Sequence, residues 1–467
     1  MRNTIRTLSL VLLTVAIGIG VADAKKPAAT PQAAPAPTGS TQATVYKDNV
    51  AVHQTASPTA PTVTSLSKGS PIDVLRQEGL WFNVKAQPST VGYVKINEIR
   101  LAQPAAGKGD GYSMFVGGGH AKLSETAGVR GISETSLRTA TMDEAALQAM
   151  QSHRVEAATA TAYAGRMRLT RTDVAYKDEP GVGKGHRAPS AQTPEQQQMQ
   201  AQESHAAKSG VMSMIGGRFG LGGSADAAAD AIPKSEQEKV DEETAMGPQI
   251  AGRMLGALGL WNDSQAQQRV NTIGRWVAMQ TPRDDLPWTF AVLDTDEVNA
   301  FAAPGGYVFM TRGLYLLLQS DDEVAAVLGH EISHVVARDH YNVIHKQAMA
   351  SLAGGALYSR FGPHTGNAFT QQLTDYVAKQ GVTIFLTTFD KSVEYRSDEA
   401  SLIYTARAGY NPLAMYAVLQ KLAAVSDSSG RLADLYKTHP SATQRLDRLD
   451  QKGMASVEQY TDRQYVR

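Results

Sequence analysis

The stretch from residue 320 to residue 336 constrains the fold of this chain more than any other. Ser320 and Glu323 have the spacing of a capping box, which marks the start of a helix. The apolar residues that follow recur at helical spacing, so the stretch predicts an apolar helix. Residues 330–334, inside this predicted helix, read H-E-x-x-H.

The H-E-x-x-H pattern indicates a metal site. His330 and His334 are four residues apart, so on a helix both imidazoles project from one face and can reach one zinc ion. Glu331 projects beside that position, where a carboxylate can take a proton from a water molecule held by the metal. A catalytic zinc site usually has three protein ligands and one open position, so a third ligand is expected elsewhere in the chain.

Two residues are candidates for this third ligand. His340 has the spacing of a pattern that needs a turn-forming glycine, but the corresponding residue is Ala337, which favours a continued helix on which His340 faces away. Glu394 is the preferred candidate because it forms an i, i+4 pair with Asp398 on a later predicted helix. One carboxylate of this pair can bind metal while the other orients an imidazole. A solvated acidic face would look the same in sequence.

Composition limits the chemistry that the 467 residues can use. The sequence has no cysteine, which excludes disulfides, thiolate metal sites and a cysteine nucleophile. Lys plus Arg and Asp plus Glu both number 45, and no basic run is present, so no nucleic-acid partner is expected. Any metal is therefore expected on His, Glu and Asp side chains.

The N-terminal residues predict export. Arg2 and Arg6 precede the apolar stretch Leu8–Val21, and the A-x-A end at residues 22–24 predicts a signal peptide over residues 1–24. The apolar part is about 14 residues long, against the about 20 that span a bilayer, so cleavage is preferred over an uncleaved anchor. No transmembrane span is expected in the mature protein, and the expected compartment is the periplasm, with a peripheral membrane location left open.

The rest of the chain divides into regions of different composition, and the predicted fold class is α+β. A mainly helical C-terminal domain with a small β-sheet is expected to follow an N-terminal β-barrel. The predicted regions are a disordered tether at 25–42, the barrel at 43–102, an unassigned mixed region at 103–178 with a helix over 142–164, a low-complexity linker at 179–247, and the domain with the chemistry at 248–467.

Residues 43–102 resemble a bacterial SH3-like domain. Short β-type runs alternate with turn residues, and Lys68-Gly69, Trp81 and Gly92-Tyr93-Val94 stand where that family has Gly, Trp and a Gly-aromatic-Val. Peptidoglycan or a protein partner is the ligand that this resemblance implies.

Four separated segments of the C-terminal domain resemble the gluzincin metallopeptidases, the family of HtpX, the CAAX prenyl endopeptidases and periplasmic BepA. In chain order they are N-A-F-A with P-G-G within 299–306, the H-E-x-x-H at 330–334, the E-x-x-x-D at 394–398, and T-H-P at 438–440 followed by Arg445. The resemblance covers about residues 248–450. The helical repeats that follow in members of the BepA type are not expected here.

The resemblance implies a zinc endopeptidase with one Zn²⁺ ion per chain. The implied zinc ligands are His330, His334 and Glu394. Asp398 and Arg445 are implied to orient the groups around them.

The resemblance also implies catalytic roles for Glu331 and His439. Glu331 would activate the water held by zinc. His439 would either donate a hydrogen bond to the oxyanion or fill the fourth zinc position and keep the enzyme latent, and both roles stay open.

The implied substrates are unfolded or misassembled polypeptides of the cell envelope, with the outer-membrane assembly machinery as a candidate partner. The alternative is a latent or non-cleaving envelope chaperone or binding protein, which recognises peptidoglycan or a partner through its SH3-like domain.

A substrate-binding strand is predicted at residues 307–310, after Pro304-Gly305-Gly306. As an exposed edge next to the metal, it would let an extended substrate add as a further strand. A core strand would look similar in sequence. The residues predicted to contact substrate are Asn299, Gly306, Tyr307 and Val308.

Overall fold

A computed structural model describes residues 40–87, 90–102, 139–177, 179–180, 235–353, 389–425, 435 and 439–466, all within the compact unit Ala36–Arg467. The predicted signal peptide lies outside the described residues, as do residues 25–39 of the predicted tether. Most of the predicted linker, residues 181–234, also lies outside them.

Seven short strands form the N-terminal part of the described structure. Their buried apolar residues alternate with more exposed polar ones, which is the pattern of strands with one face on a core. The strands pair antiparallel in the order β3-β2-β6-β5-β4-β1-β7. They are β1 Thr41–Val45, β2 Val50–His53, β3 Thr62–Leu66, β4 Pro71–Glu78, β5 Trp81–Gln87, β6 Thr90–Lys95 and β7 Ile99–Leu101.

The two outer strands of this sheet, β3 and β7, do not pair with each other among the described residues. The sheet is therefore not closed into a hydrogen-bonded barrel. The β-rich N-terminal part is as expected, and its SH3-like identity stays a prediction.

Helices dominate the C-terminal part, which confirms the α+β class. Before the H-E-x-x-H segment they are α1 Glu144–Ser152, α2 Ala157–Arg166, α3 Glu236–Leu258, α4 Ser264–Ala278 and α5 Arg312–Leu317. From that segment onward they are α6 Asp321–Val336, α7 Asp339–Ala353, α8 Lys391–Arg407, α9 Leu413–Ala424 and α10 Ala442–Arg448.

Two element boundaries differ from the sequence-based expectation. The helix expected over 142–164 is two helices, α1 and α2, with a break between Ser152 and Ala157. Helix α3 begins at Glu236, ahead of the expected domain boundary at residue 248, behind a capping box of Ser235 and Glu238.

A small three-stranded sheet lies among the helices, with the order β8-β10-β9. The strands are β8 Thr289–Leu293, β9 Ala300–Ala303 and β10 Tyr307–Thr311. The central strand β10 runs parallel to β8 and antiparallel to β9. Strand β9 is thus an outer strand of this sheet, and it packs beside helix α6.

Helix α6 carries the H-E-x-x-H and is buried along its whole length. Its N-cap is the predicted Ser320, whose side chain accepts from the backbone amide of Glu323 at 3.0 Å. Helix α8 packs directly against it, and the Ser401 hydroxyl of α8 donates to the carbonyl of Ala326 at 2.6 Å. Helices α4 and α9 contact α6 as well. A helix covered on all sides holds its side chains in fixed rotamers, which suits a metal site.

A buried carboxylate joins the N-terminal sheet to helices α6 and α9. Glu323 Oε2 lies 2.6 Å from Nζ of Lys421 in α9, and neither side chain is exposed. Glu323 Oε1 accepts from Nε2 of Gln77 in β4 at 2.9 Å. Instead of closing the predicted capping box, the same carboxylate accepts from the backbone amide of Gln319. The start of α6 is therefore fixed by contacts from three parts of the chain.

Within the described part of the chain, we find no helix that is both long enough and apolar enough to cross a bilayer.

Replacing Lys421 with methionine should lower the free energy of unfolding by about 3–5 kcal/mol, because Glu323 would remain buried without its cation. Urea unfolding followed by circular dichroism measures this change. The matched control is Lys239→Met, which breaks the exposed pair with Glu236 and should cost at most about 0.5 kcal/mol. A Lys421→Met loss no larger than that of the control would show that the buried pair does not stabilise the fold.

Candidate metal centre

Four side chains meet between helices α6 and α8 with their metal-binding atoms together. His330 and His334 come from α6, Glu394 from α8, and His439 from the segment before α10. One ligand atom from each lies within 4.8 Å of the other three. The structure thus brings together the three expected zinc ligands and the histidine expected to act beside them.

The distances within this cluster suit a tetrahedral ion. Nε2 of His330 and Nε2 of His334 are 3.3 Å apart. The carboxylate oxygens of Glu394 lie 3.6 Å and 3.7 Å from these two nitrogens and 3.2 Å from Nε2 of His439. Atoms bound at about 2.0–2.2 Å to one tetrahedral zinc ion are about 3.3–3.6 Å from each other. The donor set of imidazole nitrogens and one carboxylate is also one that zinc accepts.

Glu394 gives an independent reason to expect a cation. Its side chain is fully buried, and neither carboxylate oxygen has a hydrogen-bond partner among the described residues. Burial alone would raise the pKa of Glu394, but His439, His330 and His334 hold it well below its usual range. A buried carboxylate without a geometric hydrogen-bond partner is costly unless a cation compensates its charge. The residues present therefore fit a bound metal ion.

The other ring nitrogen of His330 contacts a carboxylate. Asp398, one turn after Glu394 in α8, lies 3.0 Å from Nδ1 of His330 through its Oδ1. Arg445 of α10 donates to both oxygens of Asp398, at 2.9 Å and 2.5 Å. Burial opposes ionisation of Asp398, but Arg445 and His330 hold its pKa below the usual range. Asp398 and Arg445 thus lie on the side of His330 that faces away from the cluster.

Glu331 borders a small cavity. The cavity has a volume of about 30 Å³ and is also lined by His330, His439 and Arg445. A water molecule needs about 10–15 Å³, so there is room for one beside the carboxylate. Burial raises the pKa of Glu331 above its ordinary value, and the neighbouring histidines offset this rise only in part. The rest of the lining is mainly apolar, including Leu314, Val327, Met415, Val418 and Leu435.

The part of the chain that carries this cluster is similar to a known family of peptidases. The model of peptidase family M48 matches residues 264–452, which include all four members of the cluster. Residues 264–452 belong to peptidase family M48. The M48 domain starts at α4 and ends just after α10.

The relatives of the M48 domain include proteases from bacteria and mitochondria. The beta-barrel assembly-enhancing protease of Yersinia pestis is 30% identical over 213 residues, or 44% of this chain and 43% of that protein. The protein of the same name from Escherichia coli strain K12 is 28% identical over the same shares. The mitochondrial metalloendopeptidase OMA1 of Arabidopsis thaliana is 30% identical over 168 residues, 36% of this chain and 32% of that protein. The chain thus spans less than half the length of these relatives.

The expectation that helix α6 continues past Ala337 is wrong. In the M48 domain α6 ends at Val336, Arg338 takes a left-handed φ of 58°, and α7 begins at Asp339. Such a conformation costs a non-glycine residue about 1–2 kcal/mol, so it persists only where its surroundings require it. The turn brings the His340 ring to 6.1 Å from the His334 ring, yet His340 is not a member of the metal-binding cluster.

Two residues that contact His334 were not predicted from the sequence. The ring of Phe389 stacks on the His334 imidazole, with centroids 5.2 Å apart and an interplanar angle of 17°. Asp339 contacts the same imidazole through Oδ2, 2.8 Å from Nδ1. Neither belongs to the H-E-x-x-H or the E-x-x-x-D, and both reach His334 only through the tertiary fold.

The prediction of an edge strand at residues 307–310 is wrong. These residues form β10, the central strand, which pairs on both sides. Gly306, Tyr307 and Val308 are buried, and the Tyr307 hydroxyl accepts from Nε2 of Gln151 at 2.8 Å. The predicted contact of these three residues with substrate required an exposed strand edge, and β10 does not provide one.

The outer strand on the side of helix α6 is β9, which Asn299 precedes. Ala300 in β9 lines the cavity beside Glu331. Asn299 is buried and its Oδ1 accepts from the amide of Ala300 at 2.9 Å, while Nδ2 has no hydrogen-bond partner in the described part of the chain.

Glu394→Ala should weaken zinc binding by more than about 100-fold, because it removes an expected ligand. Loss of a hydrogen bond that only supports a ligand costs about 10–100-fold. His340→Ala is the control, since this residue lies near His334 but outside the cluster, and its zinc affinity should match wild type. Competition with a chelator on the full chain measures both. The opposite pattern, with weak binding only in His340→Ala, would overturn the ligand assignment.

Proposed function

We propose that this protein is an exported zinc endopeptidase that hydrolyses peptide bonds of unfolded or misassembled cell-envelope proteins. The observation that carries the proposal is Glu394. Its two buried oxygens face three imidazole nitrogens and have no hydrogen-bond partner among the residues that the structure describes. Glu331 lies on the helix that supplies two of those imidazoles. The M48 domain and its protease relatives support the same chemistry.

The residues of the cluster divide the work of hydrolysis. His330, His334 and Glu394 would hold one zinc ion, which when bound acidifies a coordinated water and polarises a carbonyl group. Glu331 accepts the proton of the attacking water at its carboxylate and then delivers it to the leaving amine nitrogen. The apolar walls of the cavity beside Glu331 exclude bulk water from this proton transfer.

His439 controls access to the centre in this proposal. Its Nε2 lies 3.2 Å from Glu394 Oε2 and belongs to the four-membered cluster, which supports a role as a fourth ligand that keeps the enzyme latent. Displaced from that position, the same imidazole could donate to the oxyanion of the tetrahedral intermediate. Activation would then require movement of the segment that carries His439.

The substrate would bind as an extended chain along β9. An outer strand offers main-chain hydrogen bonds to any extended peptide, so recognition depends little on substrate sequence. Asn299 Nδ2 would donate to the substrate backbone. Folded proteins rarely expose a free extended segment of this kind, whereas unfolded or misassembled polypeptides do. Unfolded or misassembled polypeptides are therefore the proposed substrates.

Location and partners follow from the N-terminal residues and the relatives. The predicted signal peptide supports export to the periplasm. The bacterial relatives bear the name beta-barrel assembly-enhancing protease, and on that basis we extend the proposal to outer-membrane assembly machinery as a partner. The SH3-like sheet would serve as a separate recognition domain for peptidoglycan or a partner.

Glu331→Gln should reduce casein digestion by about 10²–10⁴-fold, because the amide cannot accept the proton of the attacking water. The zinc content of the variant should remain about one ion per chain, since Glu331 is not one of the proposed ligands. Casein digestion by the Glu331→Gln variant at the wild-type rate would contradict the mechanism.

The same assay separates the two roles of His439. Faster digestion by His439→Ala than by wild type is expected from release of a fourth ligand. Slower digestion with unchanged zinc content would instead assign the oxyanion role. If wild type and His439→Ala both bind zinc and neither cleaves casein, the chain is better described as an envelope chaperone or binding protein.

A further inference from the structure

His334 has a polar partner on the side away from the metal cluster. Its Nδ1 lies 2.8 Å from Asp339 Oδ2, and both residues are buried. Its Nε2 lies 3.3 Å from Nε2 of His330, inside the cluster. A neutral imidazole carries one proton, and a carboxylate acceptor at Nδ1 keeps that proton there. The lone pair of Nε2 is then directed at the metal position.

The backbone turn at Arg338 creates this contact. On a continued helix Asp339 would lie about 140° around the axis from His334, facing another direction. The left-handed φ of 58° at Arg338 ends α6 and directs the first residue of α7 towards the Nδ1 side of His334. The guanidinium of Arg338 is fixed by Glu243, with Nε 3.0 Å from Oε2. The unfavourable conformation is thus held by a partly buried ion pair.

An arginine also holds the carboxylate of Asp339. Nη2 of Arg396 donates to the same Oδ2 that contacts His334. The carboxylate that faces His334 is therefore restrained from two directions.

The same arrangement of imidazole, carboxylate and arginine is found at His330, the other histidine of the H-E-x-x-H. There Asp398 lies between Nδ1 of His330 and Arg445. Each imidazole of the H-E-x-x-H thus contacts a carboxylate, and an arginine in turn binds that carboxylate. The two arginines come from different helices, α8 and α10, so the repetition does not result from a single local motif.

We propose that Asp339 is a positioning residue that orients His334 for metal binding, and that Arg338 and Arg396 hold it in place. The inference rests on the metal site of the proposed function. It concerns metal affinity and not peptide hydrolysis, so the two can fail separately.

The test measures zinc affinity of the full chain by competition with a chelator, without substrate. Loss of a partner of this kind lowers metal affinity by about 10–100-fold, and this is the loss expected for Asp339→Ala. The matched control is Asp321→Ala in α6, the helix that carries His334. Asp321 pairs with Arg269, and its side chain is 9% exposed against 8% for Asp339. It should lower thermal stability and leave zinc affinity unchanged.

Asp339→Asn provides a variant of the same shape should the alanine variant fail to fold. It keeps an acceptor for Nδ1 but loses the charge, so its zinc affinity should fall by about tenfold, the lower end of the range. The visible spectrum of the cobalt-substituted chain should change in both Asp339 variants and not in Asp321→Ala. Wild-type zinc affinity in a folded Asp339 variant would overturn the inference, as would an equal loss in Asp321→Ala. Casein digestion by Glu331→Gln would overturn the proposed function and leave this result standing.

Discussion

The buried carboxylate of Glu394 is the interaction on which the rest of this structure depends. Within the described structure it has no hydrogen-bond partner, and it faces three imidazole nitrogens at 3.2–3.7 Å. A charge in such surroundings is costly unless a cation compensates it. The packing of α8 against α6, the order of residues along both helices and the position of His439 all serve to bring these groups together.

The surroundings of the site keep its geometry fixed. Helix α6 is buried on every side, and its first turn is held through Glu323 by Lys421 of α9 and Gln77 of the N-terminal sheet. The histidines are restrained from behind, His330 by Asp398 and His334 by groups after the end of the helix. Side chains held by packing and by outer hydrogen bonds present their ligand atoms with little freedom. The packing of the core thus also fixes the positions of the atoms that would bind the metal.

The parts of the site that could be predicted from the sequence are those set by local helical spacing. Four-residue steps place His330 beside His334 and Glu394 beside Asp398, whatever the remaining fold. The order of strands in the small sheet could not be predicted from the sequence, because it depends on pairing between distant segments. Strand β10 is the central strand, although an edge strand was expected. The turn at Arg338 was missed for another reason. Residues 337–339 contain no glycine or asparagine to signal a left-handed conformation, and the ion pairs that hold it come from distant helices.

The most direct test of the account is a crystal structure of the zinc-loaded full chain with anomalous data collected at the zinc absorption edge. The account predicts one anomalous peak about 2.0–2.2 Å from Nε2 of His330, Nε2 of His334 and a carboxylate oxygen of Glu394. A peak centred on other side chains would contradict it. So would a zinc-loaded crystal in which Glu394 remains without a metal ion.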